Sequence, residues 1–166
     1  MKKNLLLSCI TLIITACSTL KPVTYTVNPK LFNYRYVYIM QTGSVTGSSE
    51  LYTLDDGIIL GGTTTSANPT DIISGYLMQK GYVIIPQLDE KKLSETLVVN
   101  YGETGRRSMG FLWLFDATSI IIQFRDAQTN DLVASAEAED YGYTEADNVR
   151  LAIRRALDTI FSSTAR

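Results

Sequence analysis

Two stretches of alternating apolar residues, joined by a polar turn and followed by an amphipathic segment, constrain the fold of this chain most strongly. Residues 119–125 place an apolar side chain at every second position, which is typical of a β-strand with one buried face. Residues 126–131 are rich in turn-forming side chains and lead to a second strand at residues 132–139, so the two strands are predicted to pair as a hairpin. A long helix should begin at Thr144, because apolar side chains recur at helical spacing through residues 149–161.

Capping residues mark a second helix upstream. Asn68 suits the N-cap position, Pro69 suits the first helical position, and Gly81 suits a left-handed C-terminal cap. Three further strands are predicted, at residues 34–40, 82–85 and 96–101. The order of these strands and helices predicts an α+β fold, in which a mostly antiparallel sheet carries two helices packed on one face.

The N-terminal segment has the features of a cleavable export signal. Lys2 and Lys3 supply the positive start, and residues 5–14 supply a short apolar stretch. Residues 14–17, Ile-Thr-Ala-Cys, fit the lipobox pattern, so the segment resembles the signal peptide of a bacterial lipoprotein. The resemblance implies cleavage before Cys17, acylation of that cysteine with fatty acids such as palmitate, and attachment to a membrane through the lipid.

Other interpretations of this segment stay open. An ordinary secretory signal would leave Cys17 as a free or disulfide-bonded thiol. Cys9 is a weaker candidate for lipidation, because little apolar sequence precedes it. A permanent transmembrane helix is disfavoured, since the apolar stretch is far shorter than the roughly 20 residues that cross a bilayer. Ser18 follows the cysteine, and similarity to lipoprotein sorting in diderm bacteria then implies the outer membrane.

Three regions are predicted along the chain. Residues 1–16 form the signal peptide, residues 17–33 form the lipidated cysteine with a flexible tether, and residues 34–162 form a single α+β domain. The tether is expected to lack regular structure, because Pro22 and Pro29 interrupt a segment without a sustained apolar period.

Composition excludes several classes of function. The chain contains no His, 15 basic residues and 17 acidic residues. Without His, and with Cys17 committed to lipid, the sequence offers no Ser-His-Asp triad, Cys-His pair or His/Cys metal site. We therefore predict a protein that is not an enzyme and that carries no metal and no cofactor. The slightly acidic balance also predicts that nucleic acid is not a partner, because nucleic acids bind basic surfaces.

An aromatic stripe is the first candidate for a binding surface. Tyr34, Tyr36 and Tyr38 should share one face of the first predicted strand, and tyrosine combines an apolar body with a polar tip. The competing interpretation is that these side chains merely cover the outer face of the sheet. Trp113 lies in the apolar run of residues 110–115, which either forms an exposed contact tip or begins a buried strand.

Charged pairs complete the candidate residues. Arg106 and Arg107 follow a glycine-rich stretch, where two guanidinium groups are able to clamp a carboxylate or phosphate, although adjacent loop arginines are often only solvated. Glu139 and Asp140 are adjacent on a predicted strand, so their side chains should point to opposite faces and form no two-carboxylate catalytic site.

Several segments of the C-terminal two-thirds form a recognisable pattern. They are residues 80–82 (Lys-Gly-Tyr), 101–107 (Tyr-Gly-Glu-Thr-Gly-Arg-Arg), 120–127, 132–134, 142–147 and 152–157. The pattern is similar to that of small bacterial envelope lipoproteins with a domain of unknown function, in which a helix and a strand precede a hairpin and a closing helix. The resemblance covers roughly residues 70–160 and implies an extracytoplasmic α+β domain without established catalytic residues.

Together these features predict a lipid-anchored protein of the cell envelope. Its domain is expected to act as a non-enzymatic interaction or assembly module whose partner is another envelope protein. The alternative is a lipoprotein that binds a small ligand or a glycan through the tyrosines, Trp113 and the pair Arg106 and Arg107.

Overall fold

A six-stranded mixed sheet organises the chain in the computed structural model, which describes residues 20–40, 68–109 and 115–163. In chain order the elements are β1 (Thr24–Val27), β2 (Tyr36–Ile39), α1 (Pro69–Gln79), β3 (Val83–Ile84), β4 (Thr96–Met109), β5 (Phe115–Asp126), β6 (Leu132–Asp140) and α2 (Glu145–Ser162). Short 3₁₀ helices at Pro29–Asn33 and Glu90–Glu95 precede β2 and β4. The α+β fold expected from the sequence is confirmed.

The strand order across the sheet is β1-β6-β5-β4-β2-β3. Along this order, neighbours from β1 through β4 are antiparallel, whereas β2 runs parallel to both β4 and β3. The predicted hairpin is β5–β6, in which Ile122 lies opposite Ala136. The sheet is therefore antiparallel on one side and parallel where β2 and β3 join it.

Strands β4 and β5 form a hairpin longer than the sequence pattern predicts. Their pairing extends as far as Met109 and Phe115. The glycine-rich stretch lies inside β4, because a β-bulge between Glu103 and Gly105 absorbs an extra residue. Residues 106–107 therefore belong to a strand, whereas their composition suggested a loop.

Both ends of α1 follow from the capping residues that the sequence indicates. The Asn68 side chain accepts a hydrogen bond from a backbone N–H of the first turn at 3.1 Å. At the other end, the Tyr82 N–H donates to the Leu77 carbonyl at 3.1 Å, which closes a Schellman turn. Gly81, inside that turn, has a φ of 92°, a conformation that strongly favours glycine.

The core lies between one face of the sheet and the two helices. Helix α2 packs across β5, β6 and β1, and α1 packs against α2 and β3. The apolar side of α2 is buried through Val149, Ala152, Ile153, Ala156, Leu157 and Ile160. The hairpin strands supply Ile120, Ile122, Phe124, Ala134, Ala136 and Ala138. The small alanine side chains of β6 allow α2 to lie close to the sheet.

The segment before β2 belongs to the domain, so the predicted flexible tether over residues 17–33 is wrong for its second half. Residues 24–27 pair with β6 along the whole of β1, and Leu31 in the following 3₁₀ helix is completely buried. The Tyr82 hydroxyl donates to the Leu31 carbonyl at 3.0 Å. The prediction failed because the β-branched threonine and valine side chains of β1 favour a strand even between two prolines.

Several predictions fall outside the described residues. Residues 1–19 include the predicted signal peptide and Cys17, and residues 110–114 include Trp113. Residues 41–67 are likewise outside. Within the described ranges, no helix combines the length and the apolar character that a membrane span requires.

Candidate functional site

The two candidate arginines lie on β4 but point to opposite faces of the sheet. Arg106 pairs in register with Thr118 of β5, whereas Arg107 pairs with Ala117. Because side chains alternate along a strand, the two guanidinium groups cannot bind one small ligand together. They do not form the joint clamp that their adjacency suggested.

Arg106 is held on the helix side of the sheet by two carboxylates. Its Nε lies 2.5 Å from Oε1 of Glu103, and its Nη2 donates to Oε2 at 3.1 Å, which makes a bidentate contact. The same guanidinium group pairs with Glu145, the first residue of α2. Hydrogen bonding to Glu103 raises the pKa of Arg106 further above its ordinary value, so the side chain stays charged. Arg106 therefore fastens the start of α2 to β4.

Arg107 meets the buried carboxylate of Glu139 on the other face. Its Nη2 donates to Oε1 of Glu139, and its Nε donates to Oε2 at 3.4 Å. The Glu139 side chain is 1% exposed, and its Oε1 also accepts the backbone N–H of Lys21 at 2.6 Å. Burial alone would raise the pKa of Glu139, but the hydrogen bonds from Arg107 and Lys21 outweigh it and lower the pKa. Glu139 is therefore an ionised structural carboxylate near neutral pH.

A third arginine joins this network from α2. Arg155 donates through Nη1 to the Glu139 carbonyl at 2.6 Å and through Nη2 to the Lys21 carbonyl at 3.0 Å. The Lys21 ammonium nitrogen lies 3.8 Å from Oε2 of Glu139. The residues just before β1 are thus fixed to both β6 and α2. Sequence reasoning missed this network because Lys21 and Glu139 are 118 residues apart and no periodic signal connects them.

The turn between β6 and α2 packs tightly beside this network. Thr144 caps α2 by accepting the N–H of Asp147 at 3.1 Å, as the sequence predicts. Asn148 donates through Nδ2 to the Asp116 carbonyl at 2.6 Å and accepts the N–H of Gly142. A Cβ at Gly142 would lie 2.5 Å from the Cβ of Asp147, so a side chain there would displace the helix start.

A polar cavity of about 270 Å³ lies beside the N-terminus of α2, with Arg106 and Thr118 in its lining. Thr118 is 1% exposed, and its Oγ1 has no hydrogen-bond partner among the described residues. Arg106 is already neutralised by Glu103 and Glu145. The cavity therefore lacks the spare positive charge that an anion site needs.

We refer to this whole region as the charged end of the sheet. It comprises Lys21, Arg106, Arg107, Glu139, Arg155 and the turn at residues 141–148. Strand β4 ends here, β5 begins here, and β6 ends here before the start of α2. Its polar groups bind one another and connect β4, β6 and α2.

The opposite end of the sheet is built from aromatic rings around Phe161, near the end of α2. The ring centroid of Phe161 lies 6.1 Å from Phe32, 5.8 Å from Tyr76, 6.0 Å from Tyr82 and 6.2 Å from Phe124. Such distances are typical of favourable aromatic pairs. We refer to these five rings, together with Tyr34, as the aromatic end.

Tyr34 belongs to the aromatic end and not to a stripe with Tyr36 and Tyr38. It precedes β2, so strand alternation does not extend to it. Its ring packs against the core, and its hydroxyl donates to Oδ2 of Asp126 at 2.7 Å. Burial, followed by this hydrogen bond, raises the pKa of Tyr34 to about 12. Tyr36 and Tyr38 lie half-buried on the face away from the helices, because the alternate residues of β2 are buried.

An open cavity of about 460 Å³ lies at the aromatic end. Its lining includes Phe32, Tyr34, Arg35, Lys80, Tyr82 and Phe161. The Lys80 ammonium nitrogen lies 5.8 Å from the Phe161 ring centroid, which is cation–π distance. Within the described ranges, neither Arg35 nor Lys80 forms a salt bridge. This cavity therefore combines aromatic surface with two positive charges that form no salt bridge to a carboxylate of the described residues.

The structure does not gather the candidate binding residues into one surface. Arg106 and Arg107 are separated by the sheet, Tyr34 is separated from Tyr36 and Tyr38, and Trp113 lies outside the described residues. In the part of the chain that the structure describes, no three His, Cys, Asp or Glu side chains cluster so as to hold a metal ion.

Comparison with known proteins identifies the fold alone. No known family's sequence profile matches this chain, and no curated protein matches it by sequence. Among solved structures, the chain is similar to a variant PelC dodecamer from Paraburkholderia phytofirmans, with a TM-score of 0.52 and 14% identity over 86% of this chain and 98% of that chain. A second crystal form of the PelC dodecamer gives a TM-score of 0.50 and 14% identity over 84% of this chain and 96% of that chain. At this level of identity, the similarity establishes a shared α+β architecture.

Proposed function

We propose that this chain is a lipid-anchored protein of the cell envelope, held at the outer membrane by acyl groups on Cys17. Its domain acts as a non-enzymatic interaction or assembly module. The lipobox pattern at residues 14–17 supports the anchor. The backbone of Lys21 is fixed to β6 and α2, so only residues 18–20 separate Cys17 from the fixed part of the domain in the sequence.

The observation that carries the non-enzymatic role is the internal pairing at the charged end. A carboxylate that works as a general acid near neutral pH needs a raised pKa or a second carboxylate in a cleft. The pKa of Glu139 is instead lowered by Arg107 and Lys21. Arg106 and Arg107 are both occupied by carboxylates of the same chain. These groups support a fixed scaffold on which a surface can be presented.

Self-assembly is the form of this role that the fold comparison favours. The PelC structures of similar fold are dodecamers. We expect a soluble form of this chain, beginning at residue 18, to elute in size-exclusion chromatography with a light-scattering mass several times that of the monomer. A monomeric mass at the highest accessible concentration would contradict self-assembly.

The anchor is tested separately in cells. Replacing Cys17 with Ser should abolish incorporation of radiolabelled palmitate and release the protein from the membrane fraction. Cys9→Ser is the matched control and should change neither property. Density-gradient separation of the inner and outer membranes then checks the compartment. Membrane retention of the Cys17→Ser variant would contradict the proposed anchor.

Binding of a small ligand or glycan is the alternative function, and the cavity at the aromatic end favours it. Its rings suit the apolar face of a sugar, and Arg35 and Lys80 suit an attached carboxylate. Isothermal titration with oligogalacturonate, compared with neutral dextran oligosaccharides, tests this possibility. Phe32, which is 48% exposed, is the side chain to truncate, because its loss should weaken binding without unfolding the domain.

A further inference from the structure

The chain leaves the domain toward Cys17 at the charged end. Strand β1 is antiparallel to β6, with Thr24 opposite Glu137. The residues that precede β1 therefore run toward the end of β6, where Asp140 lies opposite Thr118. The ends of β4 and β6 and the start of β5 all lie there.

The departure point is fixed by direct contacts. The Lys21 N–H donates to the Glu139 carboxylate at 2.6 Å, and its carbonyl accepts from Arg155 at 3.0 Å. Lys21 follows Cys17 by four positions. Four fully extended residues span at most about 14 Å. A lipid on Cys17 would therefore hold the charged end within about that distance of the bilayer surface.

The same end presents exposed amphipathic side chains. Tyr143 is 97% exposed, Tyr141 is 45% exposed and Leu151 is 36% exposed. They line a shallow cavity of about 370 Å³ together with Asp147 and Arg150. Tyrosine is enriched where proteins meet the membrane interface, because its ring is apolar and its hydroxyl is polar.

We propose that the charged end rests on the phospholipid surface, with Tyr141, Tyr143 and Leu151 in the headgroup region. The orientation rests on the proposed acylation of Cys17, which keeps the domain at the membrane. Under that tether the local concentration of lipid is high, so a small patch of weak affinity is sufficient to orient the domain. The aromatic end, with its cavity, then faces the aqueous space.

Chemical attachment of lipid tests the orientation without relying on acylation in cells. The chain from Cys17 onward contains a single cysteine, because Cys9 precedes this starting point. This protein is coupled to maleimide-bearing phospholipid in vesicles of phosphatidylethanolamine and phosphatidylglycerol. The reference is the same protein with its Cys17 thiol blocked by N-ethylmaleimide (the capped protein). It is mixed with vesicles whose maleimide groups have already been inactivated. Amide hydrogen exchange is then measured by mass spectrometry.

Coupling is expected to slow exchange across residues 141–151 by on the order of threefold, because the bilayer covers this turn. Exchange across residues 32–35 and 80–82, at the aromatic end, should not change. Unchanged exchange at residues 141–151, or slowing at the aromatic end instead, would overturn the proposed orientation. The palmitate experiment in cells can fail independently, so the two failures are distinguishable.

Two leucines provide a matched pair of variants. Leu151→Ser should move exchange at residues 141–151 toward the rate of the capped protein. Leu132 is 45% exposed at the opposite end of β6, so Leu132→Ser should leave the protection intact. Equal effects of the two changes would contradict a contact that is specific to the charged end.

Discussion

The two ends of the sheet are stabilised by different interactions. At the charged end, hydrogen bonds and ion pairs converge on Glu139 and fix the backbone of Lys21 to β6 and α2. At the aromatic end, Phe161 contacts rings from the first 3₁₀ helix, α1 and β5. Directional bonds define where a chain segment lies, but water and salt offset much of their energy. Apolar contacts are less directional and contribute most of the free energy of folding.

Truncation of Phe161 should produce the largest loss of stability. Phe161→Ala removes a ring that packs against four others, and we expect the free energy of unfolding to fall by about 3 kcal/mol. Urea denaturation followed by circular dichroism measures this change. Phe32→Ala is the control and should cost about 1 kcal/mol, because about half of that ring is already exposed. Equal costs for the two variants would contradict a central role for Phe161.

Neutralising Glu139 should cost less overall and act locally. Glu139→Gln removes the charge that pairs with Arg107 and Lys21, and we expect a loss of about 2 kcal/mol. Amide exchange should accelerate most in residues 20–27, since the segment before β1 loses its attachment. Glu137 on the same strand is only half-buried, so Glu137→Gln should have little effect on either measurement. Uniform acceleration across the whole sheet would contradict a local fastening role.

The parts of the fold that follow from local sequence were predictable. Asn68 and Gly81 delimit α1, Thr144 begins α2, and the alternation in residues 119–125 marks β5. Each signal lies within a few residues of the feature it specifies, so it can be interpreted without knowledge of the tertiary structure.

The charged end was not predictable in the same way. Sequence reasoning treated Glu139 as half of an acidic pair with Asp140, and it did not connect Arg155 with Glu139 or Lys21. Their partners come from distant parts of the chain, and Lys21 lay in a segment expected to be a tether. Strand β1 is short, and its pairing with β6 depends on a partner more than a hundred residues away. Only the folded topology brings these groups together.

Glu139 at the charged end and Tyr82 at the aromatic end should respond to opposite extremes of pH. The folded state lowers the pKa of Glu139, so its stabilisation is complete above the ordinary carboxyl range near pH 4 and is lost as the pH falls. Burial raises the pKa of Tyr82 to about 12. The contribution of the neutral Tyr82 side chain to stability is therefore complete below about pH 10, the ordinary pKa of tyrosine. It is lost as the pH rises toward the pKa of Tyr82 in the folded state.

Urea denaturation at a series of pH values separates these contributions. Each should change the free energy of unfolding by less than truncation of Phe161 does, because only one group titrates. Glu139→Gln should make the acid side of the stability profile less steep and leave the alkaline side unchanged, with Asp126, whose pKa is also lowered, still contributing to the acid side. Tyr82→Phe should make the alkaline side less steep and leave the acid side unchanged, with Tyr34 still contributing to the alkaline side. A Glu139→Gln profile parallel to that of the unchanged protein at low pH would show that Glu139 does not sense acid.

The smallest predicted effects come from replacing threonine with valine at two positions, one toward each end of the β4–β5 hairpin. Thr118, near the charged end, and Thr96, at the start of β4, are both almost completely buried. The Thr96 hydroxyl donates to the Lys92 carbonyl at 2.7 Å, whereas that of Thr118 has no partner among the described residues. Valine has nearly the shape of threonine without the hydroxyl, so Thr96→Val should lower the free energy of unfolding by about 1 kcal/mol. Thr118→Val should instead raise it by up to about 1 kcal/mol, because an unpaired buried hydroxyl is costly. Urea denaturation of both variants checks the signs, and a loss of stability in Thr118→Val would mean that this hydroxyl is bonded to water in the adjoining cavity.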